Sequence, residues 1–290
     1  MSKFAILVDA GTDLPRDFYE QNDVDFIPMP YTIEGVTYLD DAGLSAPYDE
    51  FYAKLRAGQV STTSMINSDT YEQWFRKYLE NGQDLLVITM SSGISSSYNA
   101  ACIAAGDAAP DYPDRKLIVI DGLIASLGGG LLTHYAVRLR KEGKTITETA
   151  EWVERNKKHI QHLFTVDDLM FLQRGGRIGK GTAVLGSMLG IKPLLDVDAE
   201  GRLRTCSKKR GRKGALDGLV EWMGTLTDAT EFDCISISHG DCEADADYVI
   251  EKLRAKYKIG KIIKNYIGPV IGSHSGPGTV ALFFYGKERV

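Results

Sequence analysis

The sequence predicts a mixed α/β protein, and three observations carry that expectation. Short continuous apolar runs recur at residues 4–8, 84–90 and 117–121, as strands buried on both faces of a parallel sheet require. Between them lie segments with apolar residues at helical spacing, the alternation expected of a sheet with helices on both faces. Beyond residue 159 the pattern changes to a hairpin and paired strands. We therefore expect an N-terminal unit over residues 1–158 with a mostly parallel sheet, and a second α/β unit over residues 159–290.

The first strand, residues 4–8, ends at Asp9, too soon for a secretory leader. Pro15 then sits where a first helical turn tolerates proline. Residues 24–30 read as a strand and residues 31–40 as an extended segment bent at Glu34-Gly35, followed by a helix over 47–56. Tyr71, Trp74, Phe75, Tyr78 and Leu79 share one helical face, which Asn81-Gly82 stops. The strand over 84–90 leads through Ser91-Ser-Gly-Ile-Ser-Ser-Ser97 into a small-residue helix over 98–109. After the strand at 117–121, a long helix runs through Arg140 and another spans 145–158, with Thr145 as N-cap. In the second unit, residues 163–166 form a strand, a short helix ends at Gln173, and residues 192–210 form a hairpin around Glu200-Gly201. A helix over 215–226, a strand over 232–238, a helix over 243–257 and two final strands complete it.

At 290 residues and 43% hydrophobic content the chain can bury a sizeable core. A formal charge of −5 gives no electrostatic reason to expect nucleic acid. No run of about eighteen apolar residues suggests stable membrane insertion. Cys102, Cys206, Cys234 and Cys242 lack metal-ligand or redox spacing and read as reduced thiols of a cytoplasmic protein. Neither a metal nor a cofactor is indicated.

Three polar clusters carry the chemistry. Ser61-Thr-Thr-Ser64 is the first. Ser91–Ser97 is the second, set between a parallel strand and a helix N-terminus, where free N–H groups favour an anion. The third, Ser273-His-Ser275, lies among glycines and prolines that should display His274 in a turn. Thr63, Ser95 and His274 could together hold a carboxylate if the fold brings them to one point. Gly93-Ile-Ser95-Ser-Ser97 also approaches the nucleophile elbow of serine hydrolases, with His274 and Asp241 as further members, but Ser97 replaces the last glycine. Gly175-Gly-Arg-Ile-Gly179-Lys180 fails as a phosphate loop on spacing, since Arg174 stands five before Gly179 and Gly181 follows the lysine. Arg174, Arg177 and the run over 204–213 concentrate positive charge, which suits an acidic or phosphate-bearing partner.

Taken together these segments resemble the DegV family, the fatty-acid-binding subunits of bacterial fatty acid kinase. The resemblance rests on Asp9-Ala-Gly-Thr-Asp13, Thr62-Thr-Ser64, Ser91-Ser-Gly-Ile-Ser95, the Gly-Gly-Arg-Ile stretch at 175–178, Leu185-Gly-Ser-Met-Leu-Gly-Ile-Lys-Pro193, and Gly268-Pro-Val-Ile-Gly-Ser-His-Ser-Gly-Pro-Gly278. It implies a Rossmann-like N-terminal domain, a C-terminal α/β domain, and a long-chain fatty acid in a ligand tunnel between them. It assigns the carboxylate to Thr63, Ser95 and His274, with Thr62, Ser64, Gly93 and Ser275 supporting the head group. It implies no catalytic residue in this chain: a separate kinase subunit would phosphorylate the bound fatty acid. Arg174, Arg177 and Arg210 are then candidates for docking that kinase. The sequence departs from the family pattern at Met65-Ile66, Ser96-Ser97 and Gly122.

Overall fold

A computed structural model describes residues 4–179 and 190–290. The chain opens with β1 (Ala5–Asp9), α1 (Arg16–Asn22) and β2 (Val24–Ile27), then forms a hairpin of β3 (Met29–Ile33) and β4 (Val36–Asp40). It continues with α2 (Tyr48–Arg56), β5 (Ser61–Thr63), α3 (Ser68–Glu80), β6 (Leu85–Thr89), α4 (Ser97–Ala108), β7 (Leu117–Asp121), α5 (Leu127–Lys141) and α6 (Ile146–Asn156). The strands β2-β1-β6-β7 form a four-stranded sheet, parallel throughout. The apolar runs at β1 and β6 are buried along their whole length, because helices cover both faces.

Residues 24–30 do not form the single strand their composition suggests. Pro28 has no N–H with which to continue a ladder, and the chain turns there into a separate antiparallel sheet ordered β4-β3-β5. The expected bend at Glu34-Gly35 is the hairpin turn, both residues having positive φ (47° and 80°). The strand β5 is three residues long, too short for an alternation pattern to announce it.

After residue 159 come β8 (Ile160–Thr165), α7 (Met170–Arg174), the hairpin β9 (Ile191–Val197) and β10 (Leu203–Arg210), and the helix Gly211–Met223. Then follow β11 (Glu231–His239), the helix Glu243–Lys256, β12 (Lys258–Tyr266), the short helix Pro269–Ser275 and β13 (Val280–Tyr285). These strands build a six-stranded sheet ordered β10-β9-β8-β13-β11-β12, in which only β11 and β12 pair in parallel. Lys180, Gly181 and residues 185–189 of the motif quoted above lie outside the described residues.

The helix α5 lies between the parallel sheet and the six-stranded sheet, so one apolar cluster contains Ile6, Val8 and Ile88 from the first and Phe164, Ala281 and Phe283 from the second. Ser126, immediately before α5, has φ 54° and ψ −149°, a conformation that costs a non-glycine residue about 1–3 kcal/mol. It is held there by three hydrogen bonds: its N–H donates to Gly11 O at 2.8 Å, its Oγ donates to Asp13 Oδ2 at 2.5 Å, and the same Oγ lies 2.8 Å from Ser238 Oγ.

Candidate functional site

The residues 269–275 form a short helix rather than the turn expected for His274. Pro269 supplies the first position, where its missing N–H costs nothing, and Gly276 ends the helix with φ +76°. The helix is held by hydrogen bonds at both ends, to the loop after β1 and to the three-stranded sheet. At its start, Gly268 N donates to Asp13 Oδ1 at 2.9 Å and Val270 N to Asp40 Oδ2 at 3.3 Å. A Cβ on Gly268 would lie 2.6 Å from Asp40 Oδ2 and 2.9 Å from Asp13 Oδ1, so both carboxylates press on this glycine. Further along, Ser273 Oγ lies 2.6 Å from Ser61 Oγ on β5 and donates to Pro269 O at 2.7 Å.

At the helix C-terminus, His274 Nε2 and Thr63 Oγ1 are 2.7 Å apart, with donor and acceptor set by the tautomer. The opposite edge of the ring rests on Gly175, where a Cβ would stand 2.1 Å from Nδ1. The first glycine of Gly175-Gly-Arg-Ile178 is thus needed for room beside the imidazole. Burial, aided by the Arg177 guanidinium, pushes the imidazole pKa down to about 4, so His274 is neutral at physiological pH.

Thr63, Ser95 and His274 line one cavity of about 280 Å³, walled by residues from both sides of position 159. Ser95 reaches it from the loop that follows β6. Its Oγ accepts from Ser97 N at 3.2 Å and lies 3.0 Å from Ser97 Oγ, so it sits at the N-terminus of the twelve-residue α4. Free N–H groups and partial positive charge gather there. Elsewhere the wall is largely apolar, with Met29, Met90, Phe164, Leu172 and Val270 contributing.

The supporting residues divide. Ser64 and Ser275 line the cavity, and Ser275 Oγ is buried with no hydrogen-bond partner among the described residues. Thr62 alternates to the other face of β5, where it pairs in register with Thr32 and is exposed. Gly93 packs instead beneath the β9–β10 turn, where a Cβ would meet Glu200 O at 2.7 Å and Gly201 O at 2.8 Å. Ser91 Oγ donates to Gly201 O across the same contact at 2.8 Å.

The arginines also divide. Arg177 turns inward and lines the cavity, donating from Nε to Ile94 O at 3.0 Å and from Nη1 to Gly175 O at 2.5 Å. It therefore ties the Ser95 loop to the segment supporting His274, a placement that its expected role on a docking surface did not anticipate. Arg174 is exposed, its guanidinium 5.3 Å from the centre of the Phe171 ring, and Arg210 is exposed at the end of β10. Much of the positive run is paired with acids: Arg204 with Asp196 across the β9–β10 hairpin at 2.7 Å, Lys209 with Glu221 at 2.7 Å, Arg212 with Asp245 at 2.8 Å.

The parts of a serine hydrolase are not assembled. His274 engages Thr63 rather than Ser95, and among the described residues no carboxylate hydrogen-bonds its ring. Asp241 pairs with Arg56 and lies 3.5 Å from Tyr266 Oη.

Reading the sequence missed the carboxylates beneath the site. Asp9, Asp13 and Asp40 are 1%, 3% and 2% exposed. Burial raises all three, Asp9 to about 6, Asp40 to about 7 and Asp13 well above the ordinary range, with the neighbouring Asp40 raising Asp13 further. Asp9 and Asp13 were visible as a motif, but Asp40 closes a hairpin whose packing no local pattern reveals.

An α/β frame around a largely apolar cavity, with the hydroxyls of Thr63, Ser64, Ser95 and Ser275 and the neutral imidazole of His274 in its wall, has the make-up of a small-molecule binding protein. The family model described as "Uncharacterised protein, DegV family" matches residues 3–287, and the chain belongs to the DegV family. A DegV domain-containing protein of Clostridium perfringens (strain 13 / Type A) is 39% identical over 289 residues, covering 100% of this chain and 99% of its own. Among solved structures, a DegV lipid-binding protein from Thermotoga maritima aligns with a TM-score of 0.87 at 30% identity, covering 99% of this chain and 100% of its own. A DegV family protein from Thermus thermophilus, described as binding fatty acid, aligns with a TM-score of 0.87 at 27% identity, covering 98% and 99%.

The carboxylate clamp predicts a pH signature. Asp40 takes up its proton near pH 7 in the fold but near 3.8 when unfolded. Its contribution to stability is therefore complete below about pH 4 and is lost as pH rises through 7. Asp40→Asn keeps an acceptor for Val270 N but does not ionise. The unfolding free energy of the variant, relative to wild type, should rise between pH 4 and pH 8 by more than about 1.4 kcal/mol, the equivalent of one pKa unit. Denaturant titrations across that range check it; a pH-independent difference would show that Asp40 ionises normally.

Proposed function

We propose that this protein binds a long-chain fatty acid in the cavity, with the acyl chain between an N-terminal unit of residues 1–158 and a C-terminal unit of residues 159–290. Thr63, Ser95 and His274 hold the carboxylate. The observation that carries this reading is the 2.7 Å contact between Thr63 and His274 in the wall of the cavity that Ser95 also lines. With Nε2 protonated, the neutral imidazole donates to Thr63 Oγ1 and leaves the threonine proton for the ligand. Ser95, at the N-terminus of α4, adds a second donor where an anion is favoured. Ser64 and Ser275 extend the polar wall. Arg177 brings positive charge near the site while its own donors hold the loop.

The lipid binding described for the relative from Thermotoga maritima and the fatty-acid binding described for the one from Thermus thermophilus support the ligand class. Burying the tail is worth about 0.8 kcal/mol per methylene, so the chain supplies most of the affinity and the polar groups set its direction. A carrier of this design holds its carboxylate for a second protein, and we assign that role to a fatty acid kinase in the cytoplasm. Arg174 and Arg210, both exposed, are the docking candidates that remain on the surface.

Extraction of the purified protein followed by mass spectrometry should yield a long-chain fatty acid. Ser95→Ala, which loses a hydrogen bond to a charged acceptor, should weaken fatty-acid binding about tenfold to a hundredfold, and His274→Ala should weaken it through Thr63, whose hydroxyl the imidazole orients. Unchanged affinity in both variants would sink the assignment. In a reconstituted assay, Arg174→Ala and Arg210→Ala should leave that affinity intact yet slow phosphorylation, and the wild-type association should weaken as salt rises. Normal phosphorylation in the double variant would remove the arginines from the kinase interface.

A further inference from the structure

The strands of the six-stranded sheet bring His162, Phe164, Leu203 and Ala281 to the cavity wall, and His162 is the polar one among them. It lies on β8 between two aromatic rings, 5.0 Å from the centre of Phe164 and 4.5 Å from that of Phe283. The residue is 6% exposed, and its buried Nδ1 has no hydrogen-bond partner among the described residues. Buried polar groups are nearly always paired, and one that is not calls for an explanation.

Protonation is not the remedy. Burial, with the nearby Arg289 guanidinium, pushes the imidazole pKa down to about 3. A neutral ring carries one N–H donor and one bare acceptor nitrogen. Arg289 donates to the carbonyls of Asp198 and Lys157, so a second carboxylate buried there would lack a hydrogen-bonded counter-charge, at heavy cost. A hydroxyl both donates and accepts, carries no charge, and can meet either tautomer.

We propose that His162 forms a polar subsite in the wall of the acyl cavity and selects a fatty acid bearing a hydroxyl along its chain, which hydrogen-bonds the imidazole. This rests on the cavity being a fatty-acid site. Aromatic packing fixes the ring, so the subsite is rigid and favours hydroxyls at one depth. An unsubstituted chain offers the imidazole no partner. Conversely, a hydroxylated chain in a wholly apolar wall would bury its own hydroxyl without a partner, and that asymmetry is what gives hydrogen-bonding sites their discrimination.

The experiment compares stearate with a series of hydroxystearates substituted at successive positions, using delipidated full-length protein, and repeats it with His162→Leu and His162→Gln. In the wild type, at least one positional isomer should bind as tightly as stearate or tighter, and isomers with the hydroxyl well away from that depth should bind more weakly. In His162→Leu the affinity of that isomer relative to stearate should fall about tenfold or more, while His162→Gln, which also donates and accepts, should retain part of the preference. Melting temperatures confirm that each variant is folded. If His162→Leu does not fold, the wild-type series and His162→Gln decide. Every hydroxystearate binding at least tenfold more weakly than stearate to the wild type would overturn the subsite, as would an affinity ratio unchanged within about twofold in a folded His162→Leu. Failure of stearate itself to bind would instead overturn the fatty-acid reading on which the subsite depends.

Discussion

The seven-residue helix Pro269–Ser275 is tied at both ends, and the arrangement of the site follows from that constraint. Its leading N–H groups point at two buried carboxylates, Asp13 and Asp40, delivered by the β1 loop and the β3–β4 hairpin. Its last turn presents His274 to Thr63 on β5. A helix this short has little stability of its own, so the imidazole is positioned by the groups that hold the helix. Burying ionised carboxylates would be costly. Their raised pKa values mean that the fold favours protons there, and the positive end of the helix dipole offsets part of the remaining charge.

This clamp also explains why the three sheets cannot be treated separately. Asp13 accepts from Ser126, which enters α5, and Ser126 meets Ser238 on β11. The first loop, the central helix and the second sheet are thereby joined by hydroxyl and carboxylate contacts directly beneath the cavity, while the shared apolar cluster joins them above α5. Strain at Ser126 is sustained because its neighbours determine its position from three directions. On the other side, Arg177 links the Ser95 loop to the Gly175 segment that accommodates the imidazole. Thr63, Ser95, Arg177 and His274 in the cavity wall are thus each held by a hydrogen bond within the protein.

The parallel sheet was legible from the apolar runs of β1 and β6, since strands buried on both faces write their burial into composition, and β7, half-buried at the sheet edge, carries an apolar run as well. The end of α3 at Asn81-Gly82 and the start of α6 at Thr145 were legible from their stop and cap residues, and the structure adds that Thr145 forms a capping box with Glu148. The three-stranded sheet was not, because β5 is shorter than the window that shows alternation and Pro28 divides a run that reads as one strand. At the site, the hydroxyls and the histidine were visible as clusters, but their approach depends on pairings between residues more than two hundred positions apart. The inward turn of Arg177, the exposure of Thr62 and the structural duty of Gly93 depend on side-chain direction and on a contact with the distant β9–β10 turn. Nothing local records either.

The most direct measurement of the central claim uses a fatty acid carrying carbon-13 at its carboxyl, observed by NMR while bound. The account predicts one bound carboxyl resonance, distinct from that of the free acid and held in the ionised form to lower pH than the free acid. It should move in Thr63→Val, Ser95→Ala and His274→Ala, each of which removes a neighbouring hydrogen-bonding group. A bound resonance that titrates like the free acid and is identical in all three variants would contradict it, placing the carboxylate away from Thr63, Ser95 and His274.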